Sequence, residues 1–279
     1  MIHSIRNDYC FMHLEVIIMK KKTRKLVSLA LCVVMAAVFF AGCGGQKQSA
    51  LERVKEAGEL VMLTNAAFPP FEYLGGDNEV AGVDVEIAKA IAAEIGVTLK
   101  IVDMDFDGIV TSIQSGKGDI GASGITANDE RRKSVDFSIN YVDAAQCIIV
   151  KADNADIASP DDLAGKNVGV QSGTTGDIFV TDETEAVPYR FKTAADAAME
   201  LSNGKLDAVV IDEMPANQIV ATYAGLKLID TPLTEEQYAI AIAKDSEDLK
   251  EVIDKVISEL LESGQIAEWI EQHKAASGA

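Results

Sequence analysis

The chain has 279 residues, with 25 Lys and Arg against 44 Asp and Glu and a formal net charge of −19. Such acidity argues against nucleic acid and anionic lipid surfaces as partners, because both are held through cationic side chains. Apolar residues make up 48% of the chain and aromatics 6%, enough for two modest lobes once a leader is removed.

Residues 1–18 fit no targeting pattern and read as an extension ahead of a true start at Met19. Lys20, Lys21, Lys22, Arg24 and Lys25 then precede an apolar run over 26–41, and Ala41-Gly42 stand before Cys43. That order is a secretory signal, and the apolar run is short for a membrane span. It resembles a lipoprotein signal, with Phe40 where Leu is usual, so 19–42 is expected to be removed and Cys43 to carry lipid. Residues 43–50 read as a flexible tether. Cutting before Cys43 removes six basic and two acidic side chains and leaves 19 against 42, a net charge of −23. Cys147 is then the remaining thiol, so no intramolecular disulfide can form, and its apolar surroundings suit a small core residue.

Strands are expected at 60–64, 99–102, 119–122, 146–150, 167–170, 207–211 and 238–243, with helical patterns between them. Ile87, Ile91 and Ile95 repeat at helical spacing, and Asp84 is placed to cap or charge-stabilise that helix start. Leu249, Val252, Ile253, Val256, Ile257, Leu260 and Leu261 form a long apolar stripe that Gly264 ends, and Trp269 follows as a packing residue. This alternation implies an α/β architecture with largely parallel sheets. Residues 113–124 (IQSGKGDIGASG) and 201–212 (LSNGKLDAVVID) echo each other, each a helix end, a Gly-Lys stop and an Asp opening a strand. The echo points to two similar lobes whose strand ends face a common cleft. The runs 146–150 and 238–243 are the expected crossings. Lobe 1 is then 51–147 and 241–279, and the hinge and lobe 2 are 148–240.

The expected mature chain holds one histidine, His273, so a Ser-His-Asp triad or a multi-histidine metal site has no material. No catalytic motif is present, and the chain reads as a binder without cofactor or metal, not as an enzyme. Its loops carry a different constellation. Phe68, in a loop stiffened by Pro69-Pro70, and Phe106 can form two apolar walls. Arg131 offers the fork that suits a carboxylate, while Arg132 and Lys133 suit a solvated face. The turn 171–176 (QSGTTG) can hold an anion on backbone N–H groups and hydroxyls, and Asp212 can hold a cation. An anion clamp, a cation clamp and two apolar walls describe a site for a zwitterion such as an amino acid.

FPPFEY followed by GVDVEIAKAIA, and GASGITANDERRKSVDFS with Asn128 in place of a second Thr, resemble the extracellular solute-binding proteins of polar amino-acid ABC importers, family 3. The resemblance covers about 50–275. It implies a two-lobed periplasmic-binding-protein type II fold, each lobe a central mostly parallel sheet flanked by helices, with a two-strand hinge. It gives the ligand α-carboxylate to Arg131, helped by Thr126, Gly173 and Thr175, and the ammonium to Asp212 with the Gly124 carbonyl. Phe68 and Phe106 would sandwich the side chain, with Gln171 at the entrance. Asn65 stands where relatives often have Asp, which removes one carboxylate partner for a cationic ligand. Glutamine, arginine, histidine, lysine and cystine all stay open.

The implied function is capture of a polar amino acid by hinge closure, as a monomer anchored by lipid outside the cell and delivering to a membrane permease. A ligand-presenting sensor and a dehydratase on the same fold are the alternatives.

Overall fold

The computed structural model describes residues 48–76, 78–229 and 231–277. The expected extension at 1–18, the signal at 19–42, Cys43 and the tether up to 47 lie outside the described residues. The tether's last residues turn out to be structured. Ser49 opens α1 (Ala50–Ala57) with a capping box, its hydroxyl accepting from Glu52 N–H while Glu52 accepts from Ser49 N–H.

The first lobe begins with β1 (Glu59–Thr64), a small antiparallel sheet of β2 (Ala67–Phe68), β3 (Glu72–Leu74) and β4 (Val80–Ala81), and α2 (Val83–Ile95). It continues with β5 (Thr98–Asp103), a 3-10 turn (Phe106–Gly108), α3 (Ile109–Gln114), β6 (Ile120–Gly121), α4 (Asp129–Arg132) and β7 (Val135–Phe137). After β8 (Val142–Ala144) the chain enters the second lobe through β9 (Gln146–Lys151), β10 (Asn167–Gln171) and α5 (Thr175–Asp182). There follow β11 (Val187–Phe191), α6 (Ala194–Ser202), β12 (Ala208–Asp212), α7 (Glu213–Thr222) and β13 (Leu226–Ile229). The chain then returns through β14 (Glu236–Tyr238) to β15 (Ala241–Ala243), α8 (Glu247–Glu262) and α9 (Gln265–Ala276).

Two five-stranded sheets result, ordered β5-β1-β6-β15-β7 and β11-β10-β12-β9-β13. In each, the fourth strand runs against the rest: β15 is antiparallel to β6 and β7, and β9 to β12 and β13. Those are the first strands after each passage between lobes. The passages themselves are β8 and β14, paired antiparallel with Glu236 opposite Ala144 and Tyr238 opposite Val142. The run 146–150 therefore lies wholly in the second sheet, and the ladder joining the lobes falls just before it and just before β15.

The sequence echo has a structural counterpart. β6 and β12 occupy the same third position in their sheets. Asp119 accepts from Val61 N–H and Asp207 from Asn167 N–H, both at 2.8 Å, so each aspartate stitches its strand to the start of the neighbouring one. The seven expected strands are present. The short strands β2, β3, β4 and β8 and, in the two large sheets, β7, β11 and β13 lie outside the expected runs; in β11, Val187 and Tyr189 are 47% and 46% exposed on a sheet edge, so the apolar pattern is missing.

Ile87 and Ile91 are buried in α2, as are Leu249, Ile253, Val256 and Ile257 in α8, whereas Leu261 is 43% exposed, so that stripe is narrower than expected. Trp269 packs on the same core, and Cys147 is buried in β9. His273 sits against Tyr73, its Nδ1 2.9 Å from the Tyr73 hydroxyl. Asp84 is not a helix cap. Its carboxylate, fully buried, turns inward to the Gly124 N–H and the Tyr141 hydroxyl at 2.8 and 2.7 Å.

Candidate binding cleft

Between the carboxyl ends of the two sheets lies a small cavity of about 10 Å³, room for about one water molecule, walled by Asn65, Phe68, Phe106, Gly124, Thr126, Arg131, Gln171 and Thr175. Ser123 and Thr174, which the motifs did not single out, complete the wall. The chain reaches this place for local reasons. Phe68 is buried between Phe71 and Tyr238, with ring centroids 6.1 and 6.4 Å away. Gly124, at φ +51°, lets the backbone pass under that ring, since a Cβ there would lie 2.7 Å from Phe68 Cε1. Asn128 caps α4 by accepting from Arg131 N–H at 2.9 Å, which sets the direction in which Arg131 leaves the helix.

Arg131 spans the cleft. One guanidinium nitrogen donates to the Thr126 carbonyl at 2.8 Å and another to the Gly173 carbonyl of the second lobe at 3.0 Å. The Phe106 ring lies beneath, 5.4 Å from ring centroid to Cζ. Burial opposes the charge, and the carboxylates of Glu236 and Asp212 support it. Arg132 and Lys133 are exposed, one over Phe137 and the other paired with Glu130, so only Arg131 faces the cleft.

The second lobe answers with Gln171, whose amide donates to Asn65 Oδ1 at 2.9 Å across the cleft. Gln171 is 2% exposed and its Oε1 has no partner, so it lies inside the cavity wall and not at an entrance. Gly173 meets the first lobe so closely that a Cβ would stand 2.8 Å from Asp107 Cβ. Its N–H is already given to Asp177, so this glycine offers the cleft a carbonyl and not the donor expected of it. Ser172 to Asp107 and Lys192 to Asp105 close the outer rim at 3.0 and 2.8 Å.

Asp212 ends β12 just off the cavity wall, 4% exposed, accepting from the Tyr238 hydroxyl at 2.6 Å. Burial pushes its carboxyl up to about 6, Tyr238 draws it down, and the Glu236 charge raises it. Beneath Gly124 lie two more buried acids. Burial and the adjacent Asp84 push Glu72 well above the usual carboxylate range, while burial carries Asp84 to about 6. Ser123 donates to Glu72 at 2.8 Å and Asp84 accepts from the Gly124 N–H, which ties the turn under the cavity to β3 and α2. Among the described residues no cluster of His, Cys, Asp and Glu could hold a metal ion, and no helix is long and apolar enough to cross a membrane.

Residues 60–275 match the bacterial extracellular solute-binding proteins, family 3. The chain belongs to this family. Similar proteins include the arginine-binding extracellular protein ArtP of Bacillus subtilis, 35% identical over 86% of this chain and 93% of that one. The L-cystine-binding protein TcyJ of Escherichia coli is 29% identical over 85% and 91%. Among solved structures, the amino-acid ABC transporter substrate-binding protein AbpA of Streptococcus pneumoniae, bound to L-arginine, superposes with a TM-score of 0.79. It shares 38% identity over 82% of this chain and 99% of that one.

As a family 3 solute-binding protein, the chain has the two-lobed periplasmic-binding-protein fold, with mixed sheets flanked by helices, and the cavity lies between the lobes. Eight of the ten expected binding residues line it; Gly173 and Asp212 stand directly behind. The residues that sequence reading passed over are polar and dispersed: Ser123, Thr174, Gln146, Tyr238 and Glu236. Ser123 and Thr174 lie in segments already singled out, and Gln146 and Tyr238 each open an expected strand, but nothing in the chain marked their side chains as part of the site.

Proposed function

We propose that this chain is the extracellular capture component of an amino-acid ABC importer, closing its two lobes around a single polar L-amino acid. The observation that carries this reading is Arg131, fixed across the cleft on one carbonyl from each lobe with Phe106 beneath it. Two of its five N–H donors are used, and the remainder suit an α-carboxylate. Asp212 takes the ammonium with the Gly124 carbonyl, and Phe68 and Phe106 flank the side chain. Arginine leads the candidates. ArtP and AbpA support it, and the orphaned Gln171 Oε1 in the wall offers an acceptor to a guanidinium. Asn65 in place of a carboxylate leaves this end neutral, so hydrogen bonds and not an ion pair select the side chain.

The division we favour follows the sheets, not the crossings expected at 146–150 and 238–243: lobe 1 over 51–141 and 239–279, lobe 2 over 145–235, and the β8–β14 ladder as the flexing element. Removal of 19–42 and acylation of Cys43 would hold the protein at the outer face of the membrane beside a permease, as a monomer without catalytic activity. A thermal-shift screen against the twenty amino acids and cystine tests the reading. At a hundredfold its Kd a ligand stabilises by about 2.7 kcal/mol, which raises Tm by roughly 5–10 °C for a chain of this size. L-arginine should give that shift and Arg131→Ala should abolish it. No shift with any amino acid defeats the proposal.

A further inference from the structure

Glu236 has entered so far only through its charge on Arg131 and Asp212. It opens β14, the return strand between lobes, and one of its carboxylate oxygens touches both lobes. Oε2 accepts from the Thr126 hydroxyl at 2.6 Å and from the Thr175 hydroxyl at 2.7 Å, while Oε1 accepts from Thr234 at 2.8 Å. Thr126 comes from the first lobe and Thr175 from the first turn of α5 in the second, and both line the cavity with Arg131. A hydroxyl has one proton, and a carboxylate only accepts. Both threonine protons are therefore directed at Glu236, and lone pairs are what the hydroxyls have left to offer a ligand. Thr175 already accepts from Gln146 Nε2 at 3.1 Å, so Thr126 keeps the greater accepting capacity. An ammonium needs acceptors, whereas a carboxylate needs donors.

We propose that Glu236 is a positioning residue for the ligand's α-ammonium. It holds the Thr126 and Thr175 hydroxyls as acceptors toward the cavity and leaves the α-carboxylate to Arg131. This rests on the amino-acid reading above and reverses the part that the family resemblance gives Thr126, from carboxylate donor to ammonium acceptor.

The test is calorimetry on wild type, Glu236→Gln and Thr126→Val, with L-arginine and with 5-guanidinopentanoate, the same molecule without its amino group. The glutamine amide can donate to the hydroxyls and turn their protons into the cavity. L-arginine affinity should then fall about tenfold or more, the share of a hydrogen bond to a charged group, while 5-guanidinopentanoate changes by less than about twofold. Thr126→Val should lose the same discrimination, and the double variant should add little further loss. Thr126→Val alone carries the test should Glu236→Gln fail to fold. Equal weakening of both compounds would mark a structural role and overturn the proposal. So would unchanged or tighter L-arginine binding by folded Glu236→Gln, the latter marking an internal competitor of the ligand carboxylate. Wild type that binds neither compound instead defeats the arginine reading, and this is seen before any variant is compared.

Discussion

Asp212 joins charge, burial and function at one atom pair. It ends a strand buried along its whole length, so its carboxylate leaves water entirely, and burial alone accounts for most of its rise to about 6. In the ligand-free protein a carboxyl raised in this way contributes stability below its ordinary range, and that contribution is lost as pH rises through about 6. Binding an ammonium has the opposite sign, because the ligand needs the ionised form. Affinity should be flat above neutrality and fall below pH about 6, by at most about tenfold per unit. Calorimetry across that interval checks this, and Asp212→Asn should bind weakly at neutral pH with a flattened profile. A profile that rises on acidification would remove Asp212 from the ammonium's environment. The sequence offered Asp212 as a candidate cation partner from its position at a strand end, but not the Tyr238 hydroxyl that holds it, because a tyrosine opening an apolar run looks like any core aromatic.

At the scale of elements, the strand-helix alternation was legible because buried strands carry unbroken apolar runs and helices carry a four-residue repeat. The edge strand β11 was not, since exposure of Val187 and Tyr189 erases the pattern that would reveal it, and the four residues of β13 are too short a run to mark a strand. Asp84 shows a further limit. At the head of α2 it has the position of a helix-start acid, yet its partners are Gly124, forty residues on, and Tyr141. It connects the first turn of α2 to the positive-φ turn under the cavity. Asp84→Ala strands a buried N–H and a buried hydroxyl, so urea unfolding should show a loss of about 2–5 kcal/mol. Unchanged stability would mean that water replaces both bonds and that the tie does not position Gly124.

Across the whole molecule, closure is bridged by two kinds of contact. At the rim, Lys192 and Asp105 pair with side chains 75% and 52% exposed, and such a pair is screened and entropically costly. Inside, Arg131, Gln171 and Glu236 cross the cleft out of bulk water, where each hydrogen bond is stronger and each unmet partner is costly. The interior contacts therefore decide affinity, and the rim mainly guides closure. Lys192→Ala should change ligand affinity by less than about threefold, measured by calorimetry at physiological salt. A larger loss would place the rim pair in control of closure.

The sequence by itself determined the acidic balance, the leader-like start with Cys43, two similar α/β lobes and most of the cavity wall. It could do so because burial periodicity, helix stops and strand-end residues are local features, and the GASGITANDERR segment keeps four wall residues within nine positions. Tertiary structure alone decided which hydrogen-bonding groups are already spent. The Gly173 N–H is committed to Asp177, the Thr126 and Thr175 protons to Glu236, and Gln171 to Asn65. Each commitment pairs residues tens of positions apart or belongs to a turn's three-dimensional shape. A hydroxyl's single proton can be assigned only when its neighbours in space are known.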